Sequence, residues 1–401
     1  MSASLNRNAP LEFPVLDLFR AMTTLWVLFA HITIVCDTRV FFLSTGWLAV
    51  EIFIVLSGFL MYLLLQEERV KKPGSIKAYY IRRYFRVAPS YYVGLMLYLV
   101  FREFYATHLH VIERMFESKY PVLGLDLPVG ALSVIGNIFF LNGLIPWENI
   151  KILAPSWTLC LEMQYYLLAP ILVPCLIKRP LVTMGCFFVV NAISNVLFGV
   201  FGKPGLLFDY FFPSMLTTRI FLFGVGGMLC RAVLDGNARN YWILAISLMG
   251  GWFLYSYRSG MVCIAFALVV LLTSSKSTDA FSRFVRWLAV TKPVKLMADW
   301  TYGIYLYQMF AMAIAGWIML RFMPADSSLA VKLTWFTILL CLITWLMTLV
   351  TFHFVEKPAR TYGHKLAKRI TEIAGRKKNA AAADAGGEDK VSPTPTSAPG
   401  A

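Results

Sequence analysis

The sequence predicts an all-α protein: a polytopic membrane helix bundle of about ten transmembrane helices with both termini cytoplasmic. Three observations predict it. First, 58% of the 401 residues are hydrophobic and only 15% are charged, with a mean hydropathy of +0.65. Soluble domains carry about 25% charged residues, and a globular interior of this size cannot hold the excess apolar surface. Second, the chain divides into ten apolar runs near the roughly 20-residue length needed to cross a bilayer. Third, its basic residues fall on one side of that division, as orientation in a membrane requires.

The runs cover about 16–36, 47–65, 87–104, 159–177, 181–201, 214–231, 241–257, 260–274, 299–321 and 333–355. The first carries Arg20 and His31 and has no small-residue cleavage site, so it is expected to remain as a helix rather than leave as a signal peptide. A shorter stretch from Ala131 to Ile145 is too brief to span and is expected to be re-entrant or interfacial. With the N-terminus inside, 26 of the 37 Lys and Arg residues fall in cytoplasmic segments and nine outside; Arg20 and Arg219 lie within runs. Treating 131–145 as a further span would invert every later loop and spoil that asymmetry.

The membrane domain is expected over residues 1–364, followed by a cytoplasmic tail over 365–401 that is basic and then disordered, because its Ala, Gly, Ser, Thr and Pro cannot bury a core. No fused soluble catalytic domain is expected, so any chemistry belongs to the helices and their loops. The net charge of +15 sits in short loops between apolar runs, which argues against a nucleic-acid face. Seven cysteines without a CxxC spacing read as packing residues, and no metal site is expected. Oligomeric state is left open.

Ionisable groups inside a bilayer are costly and are functional candidates by default. Arg20 and His31 are eleven residues apart, so they project within about 20° of one helical face and lie about 16 Å apart along the axis. Asp17, one turn before Arg20, can pair with it. Glu51, Glu162 and Arg219 fall near the outer starts of their runs, at the same apparent depth as His31, and together suggest one polar cavity in the outer half. Pairing of Glu51 or Glu162 with Arg219 is the structural alternative. At the cytoplasmic side Arg82, Arg83 and Arg86 precede the third span beside Tyr84 and Phe85. The positive-inside rule explains them without function, but guanidinium forks also bind phosphates bidentately.

Taken together these segments resemble the acyltransferase-3 family of integral membrane O-acyltransferases. The Arg20–His31 spacing matches its first-helix pattern, Gly46 to Leu60 its second-helix signature around Glu51, and Arg83 and Arg86 its RxxR motif. Ser156-Trp157-Thr158-Leu159-Cys160-Leu161-Glu162 is similar to its fourth-helix signature. Arg219, Tyr302 to Gln308 around Tyr305, and Val355-Glu356-Lys357-Pro358 follow in order. The family often has His where Gln308 stands and Asp where Glu51 stands; the first departure removes a titratable group.

The resemblance implies acyl transfer, usually of acetyl, from acyl-CoA on the cytoplasmic side to a hydroxyl of a surface or periplasmic glycan in a bacterial inner membrane. Acyl-CoA (acetyl-CoA) would be a co-substrate, with no permanently bound cofactor. Arg20, Arg82, Arg83 and Arg86 would hold its phosphates, and His31 would act as general base or as an acyl carrier. Glu162 or Glu51 would orient the imidazole, and Arg219 or the Trp157 indole would stabilise the oxyanion. Asp17, Ser156, Trp157, Tyr305 and Gln308 would support the site. The competing class is a transporter or flippase for a glycan or lipid-linked sugar, which also uses intramembrane His, Glu and Arg; no internal repeat supports it.

Overall fold

The computed structural model describes residues 13–38, 40, 42–65, 74–119, 128–144, 151–201, 214–274 and 279–387, and among these every regular element is helical. In chain order these are α1 (Pro14–Val35), α2 (Gly46–Leu64), α3 (Ser75–Val100), α4 (Arg102–Met115), α5 (Ala131–Ile138), α6 (Ser156–Lys178) and α7 (Pro180–Phe201). They continue as α8 (Ile220–Asp235), α9 (Ala238–Leu254), α10 (Tyr257–Ser274), α11 (Ala280–Ala289), α12 (Lys292–Phe322), α13 (Leu329–Thr351) and α14 (Lys357–Gly387). Each of the ten predicted apolar runs lies mainly in one of these helices, although the third passes into α4 and the sixth begins before α8. Seven helical stretches are long and apolar enough on their own to cross a membrane: α1, α2, α6, α7, α10, α12 and the run beginning with α13. The other three fall short for visible reasons. α8 and α9 have 16 and 17 residues, and α3 carries Lys77, Arg82, Arg83 and Arg86. The protein is a multi-pass membrane helix bundle.

Of these seven stretches α2 and α12 are the most enclosed. α2 crosses α8 in the most extensive contact of the bundle, and glycine permits it. A Cβ at Gly58 would collide with the Phe223 carbonyl, and one at Gly226 with the Val55 carbonyl. In lipid, helices associate through such close backbone approach because no hydrophobic force drives them together. Gly226→Ala is therefore expected to push α2 and α8 apart, since overpacking costs about 1–3 kcal/mol and more where backbone must move. Thermal unfolding in detergent should show a clear drop in Tm; an unchanged Tm would contradict this packing.

Buried hydroxyls tie the helices through backbone carbonyls, as polar groups in an apolar interior must be paired. Pro170 cannot donate to the Tyr166 carbonyl, and the Tyr79 hydroxyl of α3 donates to that freed oxygen at 3.0 Å. From α12, Tyr302 and Tyr307 donate to the α3 carbonyls of Val87 (2.8 Å) and Ser90 (3.0 Å).

The structure changes two sequence expectations and clarifies a third. Arg82, Arg83 and Arg86 are not in a loop: α3 begins at Ser75, after Gly74 in the left-handed region (φ +73°), so they lie within a helix. The basic segment from Lys365 is not a loose tail either. α14 runs through Gly387 and lies along α3, with Ala367 only 1% exposed and Phe85 against Gly363. The boundary expected at residue 364 thus falls inside a docked helix, and residues 388–401 lie outside the described residues. The short segment near 131–145 is an eight-residue helix, α5, followed by a turn. It is docked by Tyr91 on the Asn137 carbonyl (3.0 Å) and by Asn142 on Ser156 (2.8 Å). It exposes Leu132, Ile135, Phe139, Leu141 and Leu144 on its other side. At about 1.5 Å per residue α5 cannot span a bilayer.

Candidate active site

Arginines from three helices meet in one cavity. Arg20 of α1, Arg83 and Arg86 of α3 and Arg360 of α14 line a cleft that is partly open to the surface. α3 brings Arg83 and Arg86 to one side because they are one helical turn apart. Glu162 and Asp299 also line it, leaving four guanidinium groups against two carboxylates.

Glu162 is bonded to hydroxyls rather than to these cations. Glu162 Oε1 accepts hydrogen bonds from the Ser57 hydroxyl and the Tyr166 hydroxyl, both at 2.6 Å. Arg83 lies over the Tyr166 ring, 5.6 Å from its centroid. Arg20 is held by Asp17 at 2.9 Å. The Nε atoms of Arg83 and Arg360 are buried without a hydrogen-bond partner among the described residues. Arginine N–H groups left unbonded in a buried cleft are chemistry suited to an anion such as a phosphate.

From this cavity α12 forms a polar ladder. Asp299, Tyr302, Tyr305 and Gln308 recur every third residue of that helix, each step rising about 4.5 Å and turning about 60° around it, so that Gln308 ends on the side opposite Asp299. The first three line the cavity, where the Thr158 hydroxyl donates to the Tyr305 hydroxyl at 2.8 Å. Gln308, one step beyond, sits beside the His31 imidazole. His31 is half-buried between Gln308 and the Val27 carbonyl of its own helix, and neither its Nδ1 nor Gln308 Oε1 makes a well-formed hydrogen bond. α1 and α12 pack directly together, and Arg20 and His31 lie on one face of α1. A neutral imidazole in this setting can accept a proton from a hydroxyl brought to it.

The four outer candidates do not form one cavity. Glu162 shares the arginine cavity, not the surroundings of His31. Glu51 is 3% exposed and lies near Arg219 and Ser259. Arg219 stacks on Tyr255 at 4.9 Å, and Tyr255 donates to Asn191 Oδ1 at 2.5 Å. The reason is helix rotation: Glu51 and Ser57 are six residues apart, about 240° around α2, so they face different neighbours. His31 is thus flanked by Gln308, while the two carboxylates expected to orient it have other partners. Arg82 also departs from expectation: it lies near His364 of α14, outside the cavity lining. Ser156 is 1% exposed and accepts from Asn142 Nδ2, a packing role, and Trp157 rests against the hydrophobic core.

Sequence reasoning did not single out Ser57, Thr158, Tyr166, Asp299 or Arg360. Tyr166 stands four residues after Glu162 and Asp299 lies at the edge of an apolar run, so helical spacing and intramembrane charge signalled both. Arg360 had no such signal, falling just beyond the last run.

Comparison with known proteins bears on this site. A family model described as an acyltransferase domain matches residues 13–352. The O-acetyltransferase OatA of Staphylococcus aureus (strain NCTC 8325 / PS 47) is 22% identical over 395 residues, covering 89% of this chain and 58% of that protein. The peptidoglycan O-acetyltransferase OatA of Listeria monocytogenes serovar 1/2a is 22% identical over 382 residues, covering 87% and 56%. The chain therefore spans a little over half the length of these relatives. No solved structure matches it. The family model covers α1 and α3, which carry Arg20, His31, Arg83 and Arg86, but not α14, and through it the chain belongs to the acyltransferase-3 family.

Proposed function

We propose that the protein is a membrane O-acyltransferase that moves an acetyl group from acetyl-CoA to a hydroxyl of a cell-surface glycan. The observation that carries this reading is the cavity lined by four arginines, one of which, Arg20, shares a face of α1 with His31. The names of its relatives support acetyl as the group and a glycan such as peptidoglycan as the acceptor.

The arginine end would face the cytoplasm, in keeping with the Lys and Arg asymmetry of the loops. Arg20, Arg83 and Arg86 would hold the CoA phosphates as bidentate, charge-assisted pairs. The pantetheine arm would run past Tyr302 and Tyr305 towards His31, about 16 Å of helix rise from Arg20. His31 Nδ1 would take the proton of an acceptor hydroxyl as its oxygen attacks the thioester carbonyl. The carbon–sulfur bond then breaks, and the imidazolium returns its proton to the leaving thiolate. Gln308, beside the ring, would fix its orientation. A second route passes the acetyl through the imidazole: its nitrogen displaces CoA thiol first, and the glycan hydroxyl then takes the acetyl.

The experiment is a comparison of surface glycans, peptidoglycan included, from cells with and without the gene. Loss of an alkali-labile acetyl increment from one glycan, restored by the wild-type gene, is the expected result. Unchanged acetylation in every glycan fraction, or a glycan that fails to cross the membrane while its modification is intact, would overturn the reading.

A further inference from the structure

We propose that Arg360 is a further phosphate-binding residue of the donor cavity, and that Glu356 positions it. This rests on the acyl-CoA reading above and assigns a role to the Val355–Pro358 motif, which no step of that mechanism uses.

The local sequence explains how a residue beyond the last apolar run reaches the cavity. Pro358 has no N–H for the Phe354 carbonyl, and its ring crowds that oxygen in an α-helix. The chain meets this with a π-turn over Phe352–Glu356 and continues as α14. Such turns add a residue to the helical register, rotating everything after them by about 100°, and they concentrate at functional sites. After the turn one stripe of α14 faces α3. Gly363 lies against Phe85, Ala367 is buried, and Ile370 and Ala374 lie against Gly74. Arg360 begins that stripe and is thereby aimed at Arg83 and Arg86.

The position leaves a guanidinium N–H open to an anion. Glu356 is 2% exposed and bonds one arm of the Arg360 guanidinium. The Arg360 Nε is buried and has no partner, and the group lies close enough to Arg83 and Arg86 to repel both. Glu356 and Asp299 offset only part of this clustered positive charge. A buried ion pair is held in place by its partner, so Glu356 fixes one edge of the guanidinium and leaves the other to the cavity. A phosphate there would complete the Nε bond and offset the repulsion among three arginines.

The test uses the full chain in lipid nanodiscs. Binding of free CoA is measured by calorimetry, and kinetics are measured with acetyl-CoA and with acetyl-pantetheine, a thioester that lacks phosphate. Arg360→Gln should weaken CoA binding and raise the KM for acetyl-CoA by about 10- to 100-fold, the range for a charge-assisted hydrogen bond. Turnover at saturating donor should stay within about threefold. With acetyl-pantetheine, wild type and variant should be alike. Arg360→Lys, which keeps the charge without the fork, should fall between them. Because Arg360→Gln leaves Glu356 buried and uncompensated, the paired variant Glu356→Gln/Arg360→Gln keeps a neutral hydrogen-bonded contact and should show the same loss. CoA binding within twofold of wild type in that paired variant, or an equal penalty with acetyl-pantetheine, would overturn the proposal. Wild type that binds no CoA would instead overturn the donor reading, and this inference with it.

Discussion

His31→Ala is expected to lower acyl transfer by about 10²- to 10⁴-fold, the usual contribution of a positioned general base, while CoA binding stays near wild type. The separation follows from the geometry. His31 does not line the arginine cavity; it lies one ladder step further along α12, beside Gln308. Its loss should therefore appear in turnover rather than in donor affinity. Single-turnover assays in nanodiscs, with folding checked by size exclusion and thermal unfolding, separate the two. Undiminished transfer would remove His31 from the chemistry. Incubating the wild type with labelled acetyl-CoA and no acceptor then distinguishes the routes: label on the protein supports the acyl-histidine path, and its absence supports general-base catalysis.

The second large effect is expected at the arginines of α3. Arg83→Ala and Arg86→Ala should each raise the KM for acetyl-CoA by about 10- to 100-fold, with a smaller change in turnover when donor is saturating. Arg83 should be the more damaging, because it also covers the Tyr166 ring whose hydroxyl holds Glu162. Arg82→Ala should change the KM little, since its side chain lies by His364 and does not line the cavity. Equal effects at positions 82 and 83 would mean that basic charge at this end of the bundle, rather than the cavity, governs donor binding.

The fold is largely legible in the sequence because a bilayer imposes a length and an apolarity that any reader of hydropathy can find. α3 is the exception. Its first dozen residues carry Lys77, Arg82, Arg83 and Arg86, and tertiary partners, Tyr166 and α14 among them, pack one side of that stretch. The tail is misread for a related reason. Basic composition suggests solvent, yet α14 finds a groove along α3 for its Gly363, Ala367 and Ile370.

At the site, the Arg20–His31 relation is legible because both residues stand on one helix and its period is known. Relations between helices are not. Depth counted from helix ends places Glu51, Glu162 and His31 at one level, but depth says nothing of rotation about each axis. Glu51 turns towards Arg219 and Ser259, whereas Glu162 turns towards Ser57 and the arginines. Arg360 depends on a π-turn, which changes register by a single residue and leaves no periodic trace.

Transfer across the bundle can be measured directly in proteoliposomes of defined orientation. Glycan acceptor is enclosed on the side of the His31 end, and labelled acetyl-CoA is supplied on the side of the arginine end. Acetyl ester on the enclosed glycan, with release of free CoA outside and no glycan escaping, is the predicted result. Ester formed only when donor and acceptor share one side, or unmodified glycan crossing the membrane, would contradict it.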